Sequence, residues 1–230
     1  MRILGIDPGP NTGAYVVVDG EGDVLEHRND VEMEWLRDRI EFDSFDRTPH
    51  RCAVEHLQSY GMGVVGAETF ETAMWIGEIR NEWRRQAEAM GEDASTFIAL
   101  YRPGIKSTLC HSAKAKDPNV RQAVLDLYGG EAIAIGGKKC GTCKGKGWSG
   151  RGRPPCPQCH LPGGHFVVTA EGSKPASTEV AGVYYEIPPG PLKGIVGHEW
   201  SALAVALTAL ASLGLGPVVV RDGPRIAENA

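Results

Sequence analysis

The sequence predicts a mixed α/β fold, in which a sheet opens as three antiparallel strands and continues as strands alternating with helices. Three observations lead there. Short apolar, β-branched runs separated by Gly/Pro/Asp turns occupy the first thirty residues. Two long stretches with helical periodicity follow, around residues 68–90 and 198–213. The chain has 230 residues, 42% hydrophobic and 23% charged, which suits one globular domain or one domain carrying an insertion.

In chain order, Arg2 to Ile6 reads as a first strand and Ala14 to Val18 as a second, joined through the turn-rich Asp7, Pro8, Gly9, Pro10 and Asn11. Asp19, Gly20 and Gly22 mark another turn, so Val24 to Arg28 completes a meander. Glu32 to Ile40 is predicted helical, and Arg51 to Leu57 is a compact strand with Glu55 set in an apolar run. From Glu68 to Met90, Phe70, Ala73, Met74, Gly77 and Trp83 fall at helical spacing and are expected to form the buried face of a long helix. Thr96 to Tyr101 is a further strand, and Asn119 to Tyr128 a helix stopped by Gly129 and Gly130. Residues 136–190 change texture, being rich in Gly and Pro with little periodicity. A last helix carries Trp200, Leu203, Leu207 and Leu210 as an apolar stripe. The expected organisation is a core over 1–135, an insertion over 136–190, a final core helix over 191–213 and a tail over 214–230.

No apolar run is long enough to cross a bilayer, and the N-terminus lacks a basic-then-apolar leader, so a cytoplasmic protein with no membrane partner is expected. The net charge of −5 conceals an asymmetry. Between Arg102 and His160 eleven Lys/Arg face three Asp/Glu, a local excess of eight positive charges on an otherwise acidic chain. A concentrated basic region suits a phosphate backbone, because each neutralised phosphate releases counterions. A solvated basic face is the plain alternative.

Asp7 ends an apolar strand, and Glu55 sits inside another. If those strands are neighbours, both carboxylates project from one edge of the sheet and can bind Mg²⁺ or Mn²⁺, hard cations that keep waters and accept phosphate oxygens. Asp7 can equally be a turn-capping residue. Glu55 needs a partner, either a metal or a basic side chain, because a buried unpaired carboxylate costs several kcal/mol.

These residues carry a resemblance. Ile3 to Gly9, then Thr12, Gly13 and a hydrophobic strand, resemble the opening of RuvC-type Holliday-junction resolvases of the RNase H-like superfamily. Val54 and Glu55 resemble that family's second acidic strand. The stretch Gly104 to Ser107, with Ala113 to Asp117 and Val120 to Gln122, is similar to its fifth-strand exit, and Gly190 to Ala206 looks like its final helix. Phe70, Glu71 and Thr72 with Trp75, Ile76 and Gly77 resemble phage-encoded members most closely, which would place the protein in a host cytoplasm.

The resemblance implies an RNase H-like sheet and an endonuclease that hydrolyses phosphodiesters in Holliday junctions or other branched DNA. It also implies two Mg²⁺ or Mn²⁺ ions at Asp7 and Glu55, one activating water and the other stabilising the leaving oxygen. His198 is carried over as a third ligand and Lys106 as a transition-state contact, with Lys114 and Lys116 reaching DNA phosphates. Many members carry two Asp on the final helix where this chain has His198 and Ser201. Glu199 lies about 100° round that helix from His198. Tyr60 and Met62, in a Gly-rich loop, are placed for base wedging or are a plain loop. Paired strand cuts imply a homodimer.

The most specific local signal lies elsewhere. Cys140 and Cys143, then Cys156 and Cys159, form two Cys-x-x-Cys pairs twelve residues apart, the pattern of a closed structural Cys₄ zinc site. Redox dithiols are the rival reading, and His160 or His165 could replace one ligand. Cys52 and Cys110 are expected as buried small hydrophobes. Between the pairs Lys144, Lys146, Arg151 and Arg153 surround Trp148, so a zinc-ribbon-like appendage folded by one Zn²⁺ presents cations to DNA. Its opening also resembles the zinc modules of DnaJ-type chaperones, which bind protein.

Two other functions compete with the nuclease. A non-catalytic DNA-binding or scaffold protein would keep the fold without an acid at Ser201. An actin-like ATPase shares the first hairpin but needs a second lobe that 230 residues do not hold.

Overall fold

The computed structural model describes residues 1–41, 49–58, 66–91, 96–136, 167–169, 184–186 and 190–215. Their compact units are two: one within Met1–Val124 and Ile195–Val219, the other within Leu125–Gly194 and Val220–Ala230.

The first unit is built on a five-stranded sheet. Strands β1 (Arg2–Asp7), β2 (Thr12–Asp19) and β3 (Val24–Glu32) form the antiparallel meander, and β4 (Arg51–His56) and β5 (Phe97–Tyr101) add in parallel on the other side of β1. The order is β3-β2-β1-β4-β5, so β1 and β4, the acid-bearing strands, lie side by side near the middle. Central strands are covered on both faces and are therefore nearly continuously apolar: residues Ile3 to Ile6 and Cys52 to Val54 are all buried.

One face packs on α1 (Met33–Glu41) and α2 (Ala67–Ala89) through Leu4, Ile6, Tyr15, Val17 and Val54 against Met33, Leu36, Ile76 and Ile79. On the other face lies α6 (Glu199–Ser212), apolar all round and buried from Ala202 to Leu210, the pattern of a fully enclosed helix. It crosses directly over Gly5. A Cβ there would stand 2.3 Å from the Ala202 carbonyl oxygen and 2.7 Å from Ala206 Cβ. Alternation along β1 then sets Asp7 on the same face as Gly5, beneath the start of α6.

The buried face of α2 differs from the expected one. Thr72, Ile76, Ile79, Trp83 and Ala87 point inward, while Phe70 (65% exposed), Ala73, Met74 (52%) and Gly77 face solvent. Both stripes have helical spacing, and packing against the sheet and α1 sets which one turns inward. A second difference follows β5. Arg102 to Cys110 is a helix, α3, with Pro103 in its first turn, so Lys106 is helical rather than in a loop. Cys52 is buried as expected, whereas Cys110 is only half-buried.

In the second unit, α4 (Asp117–Leu127), which starts in the first, ends at Gly129 and Gly130, both at positive φ, and α5 (Glu131–Ala134) follows. The Gly190 amide donates to the Ile135 carbonyl at 2.9 Å and that of Leu192 to Ala134 at 2.7 Å. The segment between 136 and 190 thus leaves and returns at one place. Within it, β6 (Val167–Thr169) and β7 (Tyr184–Glu186) pair antiparallel, regular structure that the sequence pattern did not predict.

Candidate active site

Parallel pairing of Ile6 with Val54 sets the next residues, Asp7 and Glu55, side by side on the α6 face. The turn after Asp7 is held by α2, where Trp75 Nε1 donates to the Pro10 carbonyl at 2.9 Å, and by the Met33 amide, 3.0 Å from the Asn11 carbonyl. Both acids are largely enclosed, with side chains 13% and 14% exposed. Burial raises the Asp7 carboxyl above its ordinary range, opposed by hydrogen bonds and charge from His198, by Arg102 and by the Ser201 hydroxyl. Burial and then the Asp7 charge raise Glu55, opposed by Arg102.

Helix α6 delivers His198 and Ser201 to Asp7. His198 Nδ1 lies 3.0 Å from Asp7 Oδ2, and the His198 amide donates to Asn29 Oδ1 at 2.9 Å. Gly197 at φ +51° lets the chain pass against the Asn29 side chain, where a Cβ would stand 2.9 Å away. Asn29 therefore positions His198 from β3, a role that nothing in its local sequence signals. Glu199 turns away from the acids. Its side chain, 3% exposed, accepts from the Val196 amide at 2.6 Å and meets His27 Nδ1 at 2.8 Å. Glu199→Ala should cost about 2 kcal/mol in thermal or denaturant unfolding, the loss of buried hydrogen bonds to a charged group.

Arg102 is the partner that the sequence left unnamed for Glu55. Its Nη1 is 2.7 Å from Glu55 Oε1 and its Nη2 2.9 Å from Asp117 Oδ1. Lys106 Nζ reaches the same Asp117 oxygen at 3.2 Å. Burial opposes the Arg102 charge, yet Asp117 and Glu55 hold the guanidinium more firmly protonated than usual. The hydrogen bond from Arg102 pulls the Asp117 carboxyl below its ordinary range. Sequence inspection passed over Arg102 because it directly follows a strand, where Arg is unremarkable.

A cavity of about 320 Å³ opens beside the acids, lined in part by Glu55, Arg102, Lys106, Trp200 and Ser201. Arg121 lies over the Trp200 ring at 4.7 Å. Lys114 and Lys116 are exposed just before α4, whose first turn is closed by the Lys116 amide donating to Asn119 Oδ1 at 3.0 Å. Tyr60, Met62, Trp148, His160, His165, the four cysteines Cys140, Cys143, Cys156 and Cys159, and the cations Lys144, Lys146, Arg151 and Arg153 lie outside the described residues.

Among the described residues no three His, Cys, Asp or Glu side chains converge into a ready-made metal cage. The carboxylates of Asp7 and Glu55 nevertheless fit a magnesium-type ion, which is held through one or two carboxylates, waters and substrate phosphate.

The chain is similar to the Thermus thermophilus RuvC structure, with a TM-score of 0.50 and 18% identity over 94% of this chain and 98% of that one. The fold is RuvC-like. T. thermophilus RuvC in complex with a Holliday junction substrate is similar too, with a TM-score of 0.50 and 16% identity over 94% and 97% of the two chains. No family model and no curated protein matches the sequence. At these identities the RuvC likeness is one of fold, and the expected mixed sheet is borne out to that extent.

Proposed function

We propose that this protein is a divalent-metal-dependent endonuclease that hydrolyses phosphodiesters in Holliday junctions or related branched DNA. The observation that carries this reading is the placement of Asp7 and Glu55 on one sheet face beneath His198 and Ser201, in a RuvC-like fold. A divalent ion bound there supplies Lewis-acid stabilisation of the phosphodiester and a more acidic water. His198 and Ser201 fix the Asp7 carboxylate, and Asn29 fixes His198. In this reading Lys114 and Lys116, both exposed, and Lys106, held by Asp117, are the phosphate contacts. The test is cleavage of a four-way junction in Mg²⁺ or Mn²⁺, abolished by EDTA and restored by added ion.

A non-catalytic DNA-binding protein is the second reading, favoured by the hold of Arg102 on Glu55 and by a hydroxyl at Ser201. Junction binding without cleavage in either metal selects it.

The exposed stripe of Phe70, Ala73, Met74 and Gly77 on α2 suits a homodimer, which would bring two sites to a junction with paired strands. Phe70→Glu with Met74→Glu should halve the mass seen by light scattering while leaving the melting temperature of the chain within a few degrees.

The 136–190 segment is assigned as a zinc-binding insertion on its cysteine spacing and on the closure of its two ends. One zinc per chain is expected by elemental analysis of reduced protein, lost when Cys140 and Cys143 become Ser. Its partner is DNA through Lys144, Lys146, Arg151 and Arg153. Among the described residues no helix is long and apolar enough to cross a membrane.

A further inference from the structure

Arg102 is paired with the Glu55 carboxylate that a second metal ion would need as a ligand. Its two guanidinium nitrogens span Glu55 at 2.7 Å and Asp117 at 2.9 Å, so one Glu55 oxygen already carries a cation. Helix α6 brings no anion to balance a second ion. It offers Asp7 an imidazole from His198 and a hydroxyl from Ser201, and the acid it carries, Glu199, is spent on His27 and the Val196 amide.

Charge arithmetic sharpens the point. Asp7, Glu55 and Asp117 against Arg102 and Lys106 leave one net negative charge, which any proton on His198 would only reduce. One divalent ion and one phosphodiester bring that sum to zero. Two ions leave it at plus two beside the enclosed carboxylates of Asp7 and Glu55, where like charges are poorly screened.

We infer that this site takes a single divalent ion, on the Asp7 side, and that the Arg102 guanidinium serves as its second positive centre, fixed by Glu55 and Asp117. The inference rests on the nuclease reading above and departs from the two ions that the family resemblance implies. Arg102 is then a built-in cation for the phosphate rather than a helix-to-strand tie alone. Its length and fork geometry let it stay on Glu55 while facing the 320 Å³ cavity, whose lining it shares with Lys106.

Counting ions tests this without relying on turnover. Mn²⁺ is titrated into the full chain with an equimolar four-way junction, frozen within the first turnover and read by EPR, counting only ions lost in Asp7→Asn. Wild type and Arg102→Lys should hold one ion per chain, and Arg102→Gln should gain a second. Two ions in the wild type, or a single ion of unchanged affinity in a folded Arg102→Gln, would overturn the inference and leave the nuclease reading standing. If Arg102→Gln does not fold, the wild-type and Arg102→Lys counts decide. No Asp7-dependent ion in any variant overturns the inference and the metal-dependent reading together.

Discussion

Asp7→Asn should abolish junction cleavage while leaving junction binding intact. The expected loss is on the order of 10³-fold in rate, about 4 kcal/mol at 1.36 kcal/mol per decade, because an amide is a poor ligand for a hard cation and brings no charge. Asn keeps an oxygen that can accept from His198 and Ser201, so the geometry over β1 survives. The same substitution should raise the melting temperature at pH 7. Burial raises the Asp7 carboxyl, so the folded state binds its proton more tightly than the unfolded chain does. The protonated acid favours folding below the ordinary carboxylate range of about 4, and this contribution is lost as pH rises through the raised value. Asparagine never ionises and escapes that loss. The stability gain should therefore shrink as pH falls from the raised Asp7 value toward about 4, the ordinary value for Asp, and be gone below it. Paired assays of cleavage, gel shift and melting across pH check all three statements, and undiminished cutting by the variant would remove Asp7 from the metal site.

Gly5→Ala should cost stability out of proportion to one methyl group. The added Cβ meets backbone and a Cβ of α6, at 2.3 Å from the Ala202 oxygen and 2.7 Å from Ala206 Cβ, so no side chain can swing aside. The helix must lift. A cost of about 3 kcal/mol, the upper part of the overpacking range, corresponds to roughly 6–12 °C in melting temperature for a chain of this size. Because α6 also carries Ser201 and is preceded by His198, cleavage should fall in the folded fraction as well. Gly104→Ala, with nothing within 4 Å of the new methyl, serves as the control and should change the melting temperature by at most a few degrees. A Gly5→Ala variant that melts like wild type would mean that α6 does not lie this close to β1.

The elements most legible in the sequence were those whose signal is local. Turn residues between β-branched runs announced the meander, and the Ala/Leu-rich stretch after His198 announced α6. Helix α3 was hidden because it follows β5 directly and opens with Pro103 and Gly104, although Pro in a first helical turn loses no hydrogen bond. On α2, both Phe70-Ala73-Met74-Gly77 and Thr72-Ile76-Ile79-Trp83 have helical spacing. Periodicity cannot choose between two such stripes, and contact with the sheet and α1 did.

Within the candidate site, sequence alone determined which acids end up on central strands, since a carboxylate in an apolar run must lie where the chain can partner it. It also determined the four-cysteine spacing, a property of short-range chain geometry. Only the tertiary structure decided what Asp7 and Glu55 meet: His198 and Ser201 on one side, Arg102 with Asp117 on the other, and Asn29 behind His198. These partners come from β3, α3, the start of α4 and the start of α6 with the residue before it, as many as 191 residues away along the chain. A charge is partnered through space, so its neighbours follow from how the strands order and where a helix crosses them.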